Sequence, residues 1–103
     1  MPFTRLPFVS LDWTPGAHPL ERKKLVAGQS AALLEFAPGF ADPNWCERGH
    51  VIYVIKGVLG LTFENGSEEL AAGEGCVIEA QTRHRARNPG GVPVRLFIVS
   101  AEA

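Results

Sequence analysis

Short apolar runs broken by glycine, proline and an Asn-Gly step dominate this chain, and within several runs apolar and polar side chains alternate. Alternation with period two puts successive side chains on opposite faces of a strand, so these runs predict β-structure. Residues 30–37 form the first such element. Their Ala, Leu and Glu content favours helix by propensity. The run is brief, however, and Pro38-Gly39 closes it, which predicts a strand. Residues 51–56 are rich in β-branched and aromatic side chains, as a buried strand should be. Residues 58–64 follow, with Leu59, Leu61 and Phe63 on one face, and Asn65-Gly66 predicts a type I′ hairpin turn returning through 67–72. Gly73-Glu74-Gly75 turns the chain into 76–79, and 84–87 and 94–99 supply two further strands across Asn88-Pro89-Gly90-Gly91. The N-terminal residues 1–22 read as an irregular arm with one short strand. The expected architecture is all-β, a sandwich or barrel of about six to eight antiparallel strands over 23–103, with 1–103 a single domain.

Length and composition agree with this. The chain has 103 residues, 46% of them hydrophobic and 20% charged, which suits one small domain rather than two or a disordered segment. A net charge of -1 gives no global attraction to nucleic acid or anionic lipid. No run is long and apolar enough for a spanning helix, and the start lacks the pattern of a secretory signal. The expectations are therefore a cytoplasmic protein with no nucleic-acid or membrane partner. Its two cysteines, Cys46 and Cys76, are expected to be reduced.

Candidate chemistry centres on three histidines, His18, His50 and His84. On a straight strand Cys46 and His50 would share a face but stand about 13 Å apart. To share one ion the chain must turn between them, and Glu47-Arg48-Gly49 is suitable material for that turn. In residues 82–88, alternation puts Thr82, His84, Ala86 and Asn88 on one face and Arg83, Arg85 and Arg87 on the other. This predicts His84 inward and the arginines outward, where ion pairing with Glu64, Glu68, Glu69 or Glu74 or plain solvation is expected over contact with phosphate or an acidic partner.

The span from about Pro38 to Asn88 resembles the two motifs of the cupin superfamily. With His50 at the glutamate position of the first motif, Gly57 falls at its closing glycine. The Tyr53-Val54-Ile55-Lys56-Gly57 run is similar to a stretch common in small cupins. In the second motif Gly73 takes the opening glycine, His84 the histidine and Asn88 the asparagine. The resemblance implies an antiparallel cupin β-barrel of jelly-roll type and a homodimer, often with the N-terminal strand on the partner's sheet. The departures lie in the ligand set. Asn44 and Cys46 stand where the family has two histidines, Glu79 replaces the motif proline and Gln81 its second glycine. Only His84 is retained among the four family ligands.

Two readings of the altered site follow. In one, Cys46, His50 and His84, with Asn44 or water, bind one divalent ion. A thiolate with two imidazoles suits Zn²⁺, with Fe²⁺ or Cu as alternatives. In the other, no metal binds and the polar groups line a pocket. Trp45, Tyr53, Glu79 and Asn88 are the candidate substrate-pocket residues, with Glu79 a candidate general acid/base. Cys76 is expected to pack as a small core residue and His18 to be exposed. No organic cofactor is expected. The function classes left open are a metal-dependent enzyme of oxygenase, isomerase or decarboxylase type, a non-catalytic binder of a sugar or organic acid, and a regulatory or interaction module.

Overall fold

The computed structural model describes residues 2–101. After a short 3-10 turn at Phe8–Ser10, the described residues form nine strands. These are β1 (Thr14–Pro15), β2 (Glu21–Leu25), β3 (Ala31–Phe36), β4 (His50–Lys56), β5 (Val58–Phe63), β6 (Gly66–Ala71), β7 (Gly75–Ile78), β8 (His84–Arg87) and β9 (Val94–Ser100). They make a six-stranded sheet of order β1-β2-β3-β9-β4-β7 and a three-stranded sheet of order β6-β5-β8, all antiparallel. The fold is a jelly-roll barrel, with the two sheets facing each other across the core.

Strand alternation decides what enters that core. On β4, Ile52 and Val54 are buried while Val51 and Tyr53 are exposed. Leu59 and Leu61 of β5, Val94 and Leu96 of β9, Phe36 and Phe40 join them in one apolar cluster. Phe36 and Phe40 stack with ring centroids 4.0 Å apart. Cross-strand registers order the inner face of the large sheet into layers. His50 pairs with Ser100, Ile52 with Ile98, and Val54 with Leu96. Ala32 and Leu34 of β3 face the same Ile98 and Leu96.

Several expectations need correction. β2 begins at Glu21, inside the stretch read as the arm, and besides β1, the short strand expected there, the arm carries the 3-10 turn. It is also docked. Phe8 meets Phe97 edge-on at 6.1 Å, Lys24 donates to the Phe8 carbonyl, and Arg22, Lys24 and Arg95 lie against the Trp13 ring. The β5–β6 hairpin exists, but Phe63 pairs with Gly66, so Glu64-Asn65 forms its tip. Asn65 does not adopt positive φ, so the turn is not type I′. His18 is half-buried, edge-on to Phe40 at 4.9 Å, with its Nδ1 accepting from the Leu20 amide.

One carboxylate on the outer face of the large sheet is itself buried. Glu35 receives Arg22 at 2.6 Å and Arg95 at 2.7 Å, with Lys56 at 3.9 Å. Burial alone would raise its pKa. The hydrogen bonds and positive charge of Arg95 and Arg22 outweigh that and hold the carboxyl below its usual range.

Candidate metal centre

The segment between β3 and β4 builds one side of the site. It runs beside the free edge of β8 and extends the small sheet. Asn88 N–H donates to the Phe40 carbonyl, Asp42 N–H to the Ala86 carbonyl, and Cys46 and His84 exchange both backbone hydrogen bonds, at 2.8 and 2.9 Å. That last bridge puts the thiol directly across from the imidazole of His84. Glu47-Arg48-Gly49 then turns the chain into β4, where His50 is the first residue. Gly49 is buried against β7, and a Cβ there would lie 3.1 Å from the Ala80 nitrogen and 3.2 Å from the Ile78 carbonyl.

The result is a cluster of Cys46, His50 and His84 with one ligand-capable atom from each, all within 4.8 Å of one another. The His50 and His84 rings meet edge to face with centroids 5.0 Å apart. A tetrahedral ion with one sulfur and one nitrogen ligand would separate those atoms by about 3.6 Å. Cys46 Sγ and His50 Nε2 are 3.6 Å apart. Both imidazoles are tied at their other nitrogen, as metal-binding histidines usually are. His84 Nδ1 meets the Thr82 carbonyl at 2.8 Å and His50 Nδ1 meets Ser100 Oγ at 3.0 Å. Facing a carbonyl, His84 Nδ1 can only donate, which in the neutral ring leaves its Nε2 lone pair free to face an ion, and with Ser100 Oγ accepting from His50 Nδ1 the same holds for His50. Burial, then the charges of His84 and Arg48, lower the His50 pKa to about 4, so this imidazole is neutral at pH 7. The donor set therefore fits a small, borderline-soft cation such as Zn²⁺, with one coordination position left for water or a small molecule.

The cluster opens onto a cavity of about 330 Å³ between the sheets. Its walls are mainly Ala32, Leu34, Phe36, Phe40, Ile52, Leu59, Leu61, Leu96 and Ile98. Gln29, Ser30, Arg48 and Ser100 border it in the region of His50, and Glu21 and Asp42 border it elsewhere.

The other sequence candidates stand apart from this cavity. Asn44 is exposed, and its backbone N–H closes a turn on Asp42 Oδ1. Trp45 lies under the guanidinium groups of Arg85 (4.4 Å) and Arg83 (5.1 Å), on the side of β8 away from His84. Tyr53 is on the outer face of β4, because the period that buries Ile52 and Val54 turns it to solvent. Glu79 is exposed near Thr82, in a crevice bordered by Phe63, Leu70 and Cys76. Asn88 is buried but occupied in holding the chain. Its Nδ2 donates to the Phe36 and Val92 carbonyls and its Oδ1 accepts from the Gly90 amide. Arg83 reaches Glu47 and Glu64, and Arg87 reaches Glu69. Cys76 packs partly against the core, where burial raises its thiol pKa, and both cysteines are free. Ser100, Asp42 and Arg48 escaped the sequence reading as pocket residues. The only signal for Arg48 was its place in the turn between two candidate ligands.

The family model for the cupin domain matches residues 32–100, the span from β3 through β9. The chain is a cupin. Solved cupin structures align along nearly its whole length. One is the polyketide cyclase RemF from Streptomyces resistomycificus, 22% identical with a TM-score of 0.75, covering 95% of this chain and 78% of that one. Another is KdgF from Halomonas sp., 21% identical with a TM-score of 0.77, covering 98% and 96%. A Thermotoga maritima protein described as a predicted oxalate decarboxylase is 10% identical with a TM-score of 0.80, covering 97% and 100%. At these identities the likeness establishes the fold. A search of curated proteins returned no match. Within the cupin barrel, Cys46, His50 and His84 form a group that could hold an ion.

Proposed function

We propose that this cupin is a mononuclear metal protein, with Cys46, His50 and His84 as protein ligands, and that it acts on a small organic molecule held in the adjoining cavity. One observation carries the reading. Three donors of ligand type converge at the end of an apolar cavity, with both imidazoles pinned at Nδ1 so that Nε2 is presented. The ion would supply Lewis-acid polarisation of a ligand oxygen or an activated water. The chain's own residues set the rest. Ser100 and the Thr82 carbonyl fix the imidazole orientations, and the aliphatic walls exclude water from around the ligand. Reactions of isomerase or decarboxylase type fall within this chemistry, and an oxygenase reaction would need a redox-active ion such as Fe²⁺ on the same donors. Neighbours described as a polyketide cyclase, a sugar phosphate isomerase and a predicted oxalate decarboxylase stand beside cupin domains of CENP-C type, so it is the donor cluster beside the cavity, and not the neighbours, that favours an enzyme.

The test is metal analysis of protein purified without an affinity tag. About one equivalent of metal is expected, falling to background in Cys46→Ala and His84→Ala, while far-UV circular dichroism stays unchanged. Substoichiometric metal that neither substitution alters would end the metal reading and leave a metal-free binding pocket.

A second surface bears on assembly. Val51, Tyr53 and Val77 are at least half exposed on adjoining outer positions of β4 and β7, and Ile55 at a bulge beside them is 44% exposed. The arm already covers the neighbouring β9 side of this sheet through Phe8. An uncharged strip continuous with a covered one suits a second copy of the chain. Light scattering should give a dimer for the native chain and a monomer for Tyr53→Glu. A native monomer at high micromolar concentration would refute the dimer.

A further inference from the structure

Resting on the pocket reading above, we infer that the cavity takes a small apolar carboxylic acid, with its carboxylate at the Arg48 end and its hydrocarbon body between the two sheets. The layering of the barrel carries this. At one end the cavity meets Ser30, Arg48, His50 and Ser100. The next layers down the large sheet are Ala32, Ile52 and Ile98, then Leu34 and Leu96, and Leu59 and Leu61 face them from β5. A sugar needs hydrogen-bond partners along its whole length, and these layers offer none. An aliphatic or aromatic body needs only their surface.

Charge then orients the molecule. Arg48 sits in the turn joining the two ligand positions, and its guanidinium is anchored through Nε to the Ala101 carbonyl at 3.2 Å. The other cation on the border, Arg85, lays its guanidinium over the Trp45 ring at 4.4 Å, and the acidic groups lie elsewhere. Glu21 is in register with Phe36 at the far end of β3, and Asp42 follows Phe40 on the segment beside β8. An anionic head is attracted at the Arg48 end and repelled at the other, so one orientation is favoured.

Hexanoate and benzoate serve as probes, with hexanol as the neutral counterpart of hexanoate and glucose 6-phosphate as the polar anion. Binding is followed by calorimetry and by ligand-observed NMR, on protein whose metal content is measured in the same preparation. Hexanoate and benzoate should bind, hexanol about tenfold more weakly than hexanoate, and glucose 6-phosphate not detectably. Arg48→Met keeps the aliphatic stem and removes the charge. It should weaken hexanoate about tenfold and leave hexanol unchanged. Ala32→Phe fills the cavity and should abolish both, with circular dichroism confirming the fold. Acid binding without metal would overturn the metal reading and leave this inference standing. A full equivalent of metal with no acid binding would overturn this inference alone. Hexanoate binding indifferent to both substitutions, or glucose 6-phosphate binding more tightly, would also overturn it.

Discussion

Replacing Gln81 with glycine isolates a backbone cost near His84 of the candidate metal centre. Gln81 has φ of 73°, and among the described residues it is the one non-glycine residue with positive φ. It stands where the cupin motif carries glycine. Its side chain is exposed, and its backbone N–H donates to the Glu47 carbonyl at 2.8 Å, a bond that glycine keeps. Holding an L-residue in this region costs about 1–2 kcal/mol. Glycine removes that cost but loses about 0.5–1 kcal/mol more conformational entropy on folding. The net expectation is stabilisation by about 0.5–1 kcal/mol, or about 4 °C in Tm for a chain of this size. Gly73→Ala is the mirror control. Gly73 has φ of 90°, and a Cβ there would meet no atom within 4 Å, so only the conformational term operates. It should destabilise by about the same amount. Urea unfolding at pH 7 measures both variants against the native chain. If Gln81→Gly were neutral or destabilising while Gly73→Ala destabilised as expected, the account of strain at Gln81 would be wrong.

Three further outcomes are expected. Because the folded Glu35 carboxyl has its pKa lowered from 4.5, its contribution is present above that value and lost as pH falls through the folded pKa. Stability curves between pH 7 and pH 3 should therefore fall more steeply for the native chain than for Glu35→Gln, and parallel curves would contradict the pairing with Arg22 and Arg95. Ser100→Ala removes the partner of His50 Nδ1, so metal affinity in competition with a chelator should drop about tenfold with unchanged stoichiometry; unaltered affinity would dissociate Ser100 from the site. Gly57→Ala places a Cβ at 2.6 Å from the Pro93 carbonyl oxygen and 2.9 Å from Val94 Cα, at φ of 79°. Both obstacles are backbone, so thermal unfolding should show a loss of about 3 kcal/mol or more, and a loss below about 1 kcal/mol would refute the close packing at this turn.

Local pattern alone determined the strands from β3 to β9, because alternation, β-branched runs and Gly/Pro punctuation act within a few residues. The same locality exposed the donor types at Cys46, His50 and His84 and the inward face of His84. Other features depended on partners distant in sequence, and these only the tertiary structure decided. The pairing of residues 40–46 with β8 rests on backbone hydrogen bonds that any side chain permits, so no residue type announces it. Asn88 reads as a pocket residue by its motif place, yet the carbonyls of Phe36 and Val92 claim its amide. Tyr53 has pocket chemistry but the outward parity of its strand, and His18 is covered because Phe40 folds back beneath it. Glu35 looks like a surface carboxylate until Arg22 and Arg95, from strands on either side, close over it. Side-chain chemistry and local periodicity are properties of the chain, whereas the neighbours that complete a hydrogen bond or wall a cavity exist only after the sheets close.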